Sequence, residues 1–336
     1  MPLVMDVDVD GRIELGDLVE ALQSETADLN DDDCLASYAP MLRKLFNNRR
    51  FLGDLIVEEL KQRCAGQIGR NHYSAQVILL HSGSRKFLLR ANFWPAESDS
   101  VIVNSGTDPF FYGHPHDHNF SFLTVGYAGP GYWSDYYEYD YESTVGFIGE
   151  QVDLRFVERS RLSEGKVMLY RRHLDVHSQL PADSLSVSLN IMAVSPANEF
   201  RDQYGFNLQS SRVSAIVNRS TLEPLIALAG HIGGENGRDL IEDFAERHPS
   251  ERIRFAAWKA KANAAGGPDE RLELYREVAR SSKSRFVRAM SEQEAARIGA
   301  ARGFYKLPTE PGLSAPAGGR GEAAQYSPRA GRLPAG

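Results

Sequence analysis

The chain has 336 residues, 42% of them hydrophobic and 25% charged, with a formal net charge of −7. That composition supports a folded core, as one large domain with extras or as two to three units. The negative balance argues against general affinity for nucleic acid. No apolar run approaches the ~20 residues of a membrane span, so no membrane is expected as a partner. The start, Met1 to Asp10, is acidic and lacks the basic region and apolar core of a secretory signal. Cys34 and Cys64 are the two cysteines, neither in a CxxC context. A disulfide framework is not expected, and a reducing, cytoplasmic location fits.

In chain order, residues 1–11 read as a frayed start. Residues 12–66 read as a helical flank. Leu15, Leu18, Val19 and Leu22 recur at helical spacing. Asp32 or Asp33 can cap a following helix with Leu35, Tyr38, Met41, Leu42 and Leu45. Asn47-Asn48 is a break, and Phe51, Leu52, Leu55, Ile56 and Leu60 stripe a third helix. Both cysteines fall in these expected helices.

At Tyr73 the period changes. Gln76–His81 and Lys86–Trp94 read as strands joined at Ser82-Gly83-Ser84. Phe120–Val125, Tyr132–Tyr141, Val152–Glu158, Val167–Tyr170 and Leu185–Met192 follow, with a glycine-rich turn from Gly126 to Gly131. Seven or eight short strands with turns every 8–15 residues predict an antiparallel sandwich or small barrel over 70–200. After Pro196 the composition shifts. Leu222–Leu228, Asp239–Glu246, Ser250–Asn263 and Pro268–Arg280 are helical, with Asp239, Ser250 and Asp269 as N-cap candidates. Units of roughly 30 residues across 212–305 suggest HEAT-like hairpins or an ordinary bundle. From 306 to 336, Pro, Gly, Ala and Arg dominate, which predicts a disordered tail.

The chemistry concentrates in Tyr112-Gly113-His114-Pro115-His116-Asp117-His118. Three of the nine histidines stand here at alternate positions. In an extended strand they share a face, ~6.5–7 Å apart along the chain. Two imidazoles so placed can both reach one metal ion at ~2.0–2.1 Å. A third ligand must come from another strand, and His173 and His177 are the candidates. His72, His81, His231 and His248 have no clustered partner and are expected at the surface. Arg90 and Asn92 share a strand face. Turned inward, Arg90 could hold an anionic substrate group; turned outward, it is surface charge. Tyr136 and Glu138 share one face and Tyr137 and Tyr139 the other, so one pair can line a cavity. Arg90 and Tyr136 are the candidate catalytic residues.

The segment from Tyr73 to Pro196 resembles a cupin, and by pattern the three-histidine cupins of the cysteine dioxygenase type. Tyr73, the Ser82-Gly83-Ser84 turn, Lys86-Phe87, Trp94, His116-Asp117-His118 and Val187-Ser188-Leu189 occur in a similar order. Gly165 followed by His173 or His177 is similar to the second cupin motif. Departures are clear. Phe122 stands at the first motif's usual glutamate. Ala75 replaces the arginine that binds substrate carboxylate in that family, and Met192 its active-site tyrosine. The resemblance implies an α+β fold built on a jelly-roll barrel and a mononuclear metal site with oxygen chemistry, but not cysteine as substrate.

On that resemblance the metal ligands are His116, His118 and His177. His177 is preferred to His173 because it lies nearer the final strand, at a turn beside the barrel mouth. Iron(II) is the implied ion, and Zn, Mn, Ni and Cu stay open. His173-Leu174-Asp175 also offers a His-x-Asp of the 2-oxoglutarate type, but its downstream histidine would have to be His231 or His248, in the helical part. His114 is expected at the rim, and Asp117, facing away, is expected to satisfy a turn. The activity expected is that of a non-haem iron oxygenase on an amino-acid-derived or peptide substrate with dioxygen. A non-oxidative metal isomerase or lyase, or a ligand-sensing module with a protein partner on the C-terminal helices, are the other readings.

Overall fold

The computed structural model describes residues 1–304, with side chains to 301. The tail expected from 306 onward lies outside the described residues. The chain opens with β1 (Leu3–Met5), followed by α1 (Leu15–Ser24), α2 (Asp32–Ala36), α3 (Ala39–Asn47) and α4 (Phe51–Lys61). The frayed start is thus corrected: β1 pairs antiparallel with a strand over 167–169. The single helix expected through Leu35 and Leu45 is two, because Pro40 is accommodated in the first turn of α3. Asp31 caps α2, accepting from the backbone N–H groups of Asp33 and Cys34, so neither Asp32 nor Asp33 is the cap. Cys64 is not helical; it sits in the turn after α4 with φ +58°.

The strands are β2 (Val77–His81), β3 (Phe87–Trp94), β4 (Phe122–Ala128), β5 (Tyr132–Glu138), β6 (Arg155–Leu162), β7 (Val167–Tyr170), β8 (Asp175–Gln179), β9 (Ser186–Ala193), β10 (Tyr204–Asn207) and β11 (Arg212–Ile216), with helix α5 (Ser100–Ser105) between β3 and β4. They form a six-stranded sheet in the order β1-β7-β4-β9-β3-β2, a three-stranded sheet β6-β5-β8, and the hairpin β10-β11. All named pairings are antiparallel. The glycine turn before β5 is forced by crowding. Gly131 has φ +81°, and a Cβ there would stand 2.0 Å from the Leu162 carbonyl oxygen.

The six-stranded sheet is the middle of three layers. Leu18, Leu22, Leu42 and Leu45 from the N-terminal helices pack on Phe87, Leu89, Ala91, Leu123, Val125, Leu169, Leu189 and Ile191. The intervening residues point the other way. Trp94, Phe122, Met168, Tyr170 and Met192 meet Tyr132, Tyr136 and Leu162 of the three-stranded sheet. Because strand side chains alternate, β3 and β9 each serve two interiors. The polar residues of Leu89-Arg90-Ala91-Asn92 and Val187-Ser188-Leu189-Asn190 therefore face a second interior, not solvent.

The remaining helices are α6 (Leu222–Ile232), α7 (Gly234–Arg247), α8 (Glu251–Ala264), α9 (Pro268–Ser281) and α10 (Arg285–Phe304). Ser250 caps α8 through the Ile253 N–H. Asp239 lies inside α7, whose N-cap is Gly233, and Asp269 lies one residue inside α9, whose N-cap is Gly267. Phe255, Tyr275, Val278, Phe286 and Val287 form a core that also takes Val145 and Phe147 from the β5–β6 loop. No helix among the described residues is long and apolar enough to cross a membrane.

Candidate metal centre

His116 and His177 are joined by reciprocal backbone hydrogen bonds, each N–H donating to the other's carbonyl at 3.0 Å. That bridge sets their side chains beside each other. The segment around His116 is not the regular strand expected. Phe111 and Gly113 have φ +57° and +71°, and the chain makes isolated bridges to β8 and to Gly205 of β10. Residues 115–118 thus run between β8 and β10. His177 lies in the middle of β8, not at a turn.

The three imidazoles His116, His118 and His177 are buried, at 4%, 8% and 2% exposure. Their ligand-capable nitrogens all lie within 4.8 Å of one another. The His118 and His177 Nε2 atoms are 3.0 Å apart, and those of His177 and His116 are 3.3 Å apart. Nitrogens ~2.0–2.1 Å from one ion stand roughly 2.8–3.4 Å apart at octahedral to tetrahedral angles. Two of the three pairs match that spacing and the third lies within 4.8 Å, so the group could hold one cation. His116 Nδ1 donates to the His114 carbonyl at 2.7 Å, which leaves Nε2 with its lone pair free for an ion. Near His118 Nδ1 stands the Gln203 amide at 3.5 Å, and the Gln179 amide lies 3.3 Å from His177 Nδ1.

Electrostatics favours neutral imidazoles here. Burial lowers the His116 pKa, partly offset by the bond to His114, and holds His118 and His177 well below the ordinary histidine value. The mutual repulsion of the three rings adds to this for His118 and His177. Neutral imidazole is the form that ligates a metal.

The cluster opens into a cavity of about 320 Å³. Its far side is the inner face of the six-stranded sheet, with Arg90, Asn92, Trp94, Phe122 and Asn190. Arg90 is paired with Asn190 across β3–β9, and Asn190 with Thr124 across β4–β9. Thr124 Oγ1 donates to Asn190 Oδ1 at 2.7 Å. Arg90 is thus turned inward, 8% exposed, with the Tyr73 ring 5.0 Å from its guanidinium carbon. Burial pulls the Arg90 pKa down.

Tyr136 is placed differently from expectation. It is fully buried behind His177, its hydroxyl 2.8 Å from that of Tyr170, and it does not line the cavity. Tyr132, four residues earlier on the same face of β5, does. Burial raises the Tyr136 pKa to about 12, so it is a protonated strut. Glu138, the last residue of β5, is tied to Arg155 and Arg171.

His173 is kept apart from the cluster. It has φ +58°, stacks on Tyr141 with ring centroids 3.8 Å apart, and lies 3.5 Å from Asp117. Asp175 is fully buried and bound to Arg171 and the terminal ammonium, so His173-Leu174-Asp175 forms no joint site with the histidines. Asp117 does not satisfy its own turn. It accepts from Tyr139 Oη at 2.7 Å and from the Tyr204 N–H at 2.6 Å, clamping the histidine segment to β10. His114 is exposed, 3.1 Å from Asp108, and is not among the residues that line the cavity. Of the four histidines expected at the surface, His72 and His231 are exposed, His72 at the cavity mouth, while His81 stacks on Phe87 and His248 packs against Phe200 and Phe244.

Sequence reasoning missed Gln179, Asn190 and Gln203. Gln179 was findable, since it stands two residues after His177 on the same strand face. Asn190 alternates with apolar residues as a solvent-facing position would, so its strand alone did not mark it. Gln203 precedes a hairpin with no mark either.

No family model matches the chain, and no curated protein matches it. Solved structures to which it shows similarity include a cupin domain from Bordetella pertussis, with TM-score 0.23 and 13% identity, covering 38% of this chain and 100% of that one. Vicilin from hazelnut, Corylus avellana, gives TM-score 0.20 and 9% identity, over 41% of this chain and 34% of that one. A prolyl 4-hydroxylase from Phytophthora capsici gives 0.21 and 10%, over 76% of each chain. What the site can do follows from its own geometry.

Proposed function

We propose that the chain is a mononuclear metal enzyme with a cupin-type jelly-roll barrel, in which His116, His118 and His177 hold one iron(II) ion and the reaction is an oxygenation of an amino-acid-derived or peptide substrate. The observation that carries this is the convergence of three buried imidazole nitrogens, 3.0 and 3.3 Å apart, on one cavity. A three-nitrogen set with no carboxylate leaves ion positions open to substrate and dioxygen. When bound, iron(II) would supply the one-electron chemistry that dioxygen needs and that amino-acid side chains lack.

The chain's own residues supply the rest. The His114 carbonyl fixes the His116 tautomer, and the backbone bridge to His177 fixes the spacing of two ligands. Aromatic residues Trp94, Phe111, Phe120, Phe122 and Tyr132 make most of the cavity apolar and limit water around the reacting atoms. Tyr170 and Tyr136 back His177 and keep its ring from turning.

The same donor set favours a second reading. Three histidines with an open position also describe a catalytic zinc site, which would act as a Lewis acid in an isomerase or lyase. Elemental analysis of protein purified aerobically and anaerobically without a chelating tag separates the two. The oxygenase reading requires about one iron per chain, lost in His118→Ala, and oxygen consumption that His116→Ala abolishes. Stoichiometric zinc with no oxygen consumption would replace it with the Lewis-acid reading. Absence of any stoichiometric metal would end both.

A further inference from the structure

We infer that the floor of this cavity is a seat for the free carboxylate of an α-amino acid, or of a peptide's C-terminal residue, with Arg90 holding the carboxylate and Asn92 accepting from the adjacent nitrogen. The inference rests on the same cavity as the proposed metal centre, and it specifies which end of the substrate enters first.

Arg90 forms no ion pair with a carboxylate among the described residues, and its Nε has no hydrogen-bond partner. Its partner in the cavity is the exposed Tyr73 side chain at the mouth, a neutral group that hydrogen-bonds the guanidinium and carries no counter-charge. A guanidinium buried without a counter-charge is costly, and the cost is recovered when an anion arrives. Two residues along the same strand face, Asn92 Oδ1 is buried without a donor. An acceptor without a donor, on the same strand face as a cation with no counter-charge and a free Nε–H, calls for a ligand that carries both an anion and an N–H. A phosphate answers the cation but places more oxygen against Asn92. An α-amino acid answers both, its two groups being one carbon apart. Asn190 is held by Thr124 across the strand and keeps the floor polar and fixed.

The cavity volume of about 320 Å³ lies at the small end of ligand pockets, ~300–1,000 Å³. It suits one residue, with the carboxylate and amine at the floor and the side chain directed at the histidines opposite. An internal peptide residue has no free carboxylate and is excluded.

The test uses metal-free full-length protein. Alanine, leucine and phenylalanine are compared by calorimetry and melting temperature with their carboxamides, their deamino acids (propionate, 4-methylpentanoate, 3-phenylpropanoate) and inorganic phosphate. At least one amino acid should bind, at least tenfold tighter than its carboxamide and several-fold tighter than its deamino acid. Arg90→Met should lose that binding, still take up one Co(II) per chain, and melt higher than the wild type when ligand-free, because a buried unpaired charge is gone. Arg90→Lys should recover part of the binding. Carboxamides that bind as well as the acids, phosphate as the sole ligand, no binding by any acid, or an Arg90→Met that melts lower would overturn the inference. Deamino acids that bind equally would remove Asn92 from it. Acid binding that persists in a protein without stoichiometric metal would leave this inference standing and the metal reading fallen.

Discussion

The two faces of the six-stranded sheet are built from the same strands and do opposite work. Toward the helices, Phe87, Leu89, Ala91, Leu123, Val125, Leu189 and Ile191 make a dry apolar layer. Toward the three-stranded sheet, the alternate positions are Arg90, Asn92, Thr124, Ser188 and Asn190, at the edge of an aromatic cluster. One face carries stability and the other carries a site, and the period of two in each strand keeps them separate. Substitutions on the first should move the melting point and leave metal binding alone. Substitutions on the second should cost less stability and act on what the cavity binds.

The largest effect is expected on the site. Replacing His118 or His177 by Ala removes one of the three proposed ligands, and the partners that orient a ligand are alone worth ~10–100-fold in affinity. Loss of a ligand itself should therefore abolish stoichiometric metal at micromolar protein. The helix-facing core is unchanged by these variants, so circular dichroism should match the wild type. A variant that keeps full metal content would show that the three rings do not form the site.

Next comes the helix face. Leu123 is fully buried against the helical layer. Leu123→Ala should cost ~2–5 kcal/mol of stability by loss of transfer energy and a residual cavity. Urea unfolding measures this, and metal stoichiometry at low temperature should stay at the wild-type level. A variant that loses metal without losing stability would break the division between faces.

A pH experiment sharpens the same contrast. The three clustered histidines have depressed pKa values in the fold, chiefly from burial. In the unfolded chain they titrate near ~6.5. As pH falls through that value the unfolded state takes up more protons than the folded one, so stability is lost. The metal-free protein should lose melting temperature from about pH 7 downward. The combined variant His116→Asn, His118→Asn, His177→Asn should lose less over the same window, since other groups alone remain to titrate. Identical slopes for the two would mean that the cluster is not held neutral by the fold.

How much of this was legible in the sequence depends on what each feature needs. The strand periods, the helical flanks and the pairing of His116 with His118 needed only local alternation and residue type, whereas the choice of His177 over His173 rested on nearness to the final strand and not on the mid-strand position it occupies. The direction of the polar face did not follow from local pattern. Arg90, Asn92 and Asn190 alternate with apolar residues just as a solvent-facing strand would, and only a third layer packed on that side makes the polar face interior. The N-cap of α7 was misread for a related reason: Asp239 is a good cap by type, but Gly234 to Arg238 continue the helix before it. The β10–β11 hairpin, which holds Asp117's partner Tyr204, was hidden because its four- and five-residue strands are short. Tyr136 shares a face with Tyr132, and which of the two reaches the cavity is decided by where Tyr170 fills the space.

The smallest expected effect is at Thr124, next in the chain to Leu123 and pointed the other way. Its hydroxyl is fully buried and donates to Asn190 Oδ1 at 2.7 Å, the contact that ties β4 to the polar row of β9. Thr124→Val keeps the shape and removes the donor. An isolated hydrogen bond contributes ~1 kcal/mol net, and leaving an acceptor without a partner costs ~1–3 kcal/mol. Asn190 borders the cavity, however, so water can approach its amide and the cost should stay near the lower figure. Urea unfolding of Thr124→Val beside Leu123→Ala therefore compares two adjacent side chains on opposite faces. The first should lose about 1 kcal/mol and the second at least twice that. Metal content should be unchanged in both. Equal losses would mean that the cavity face carries as much of the folding energy as the helix face, and the separation of stability from site in this sheet would no longer hold.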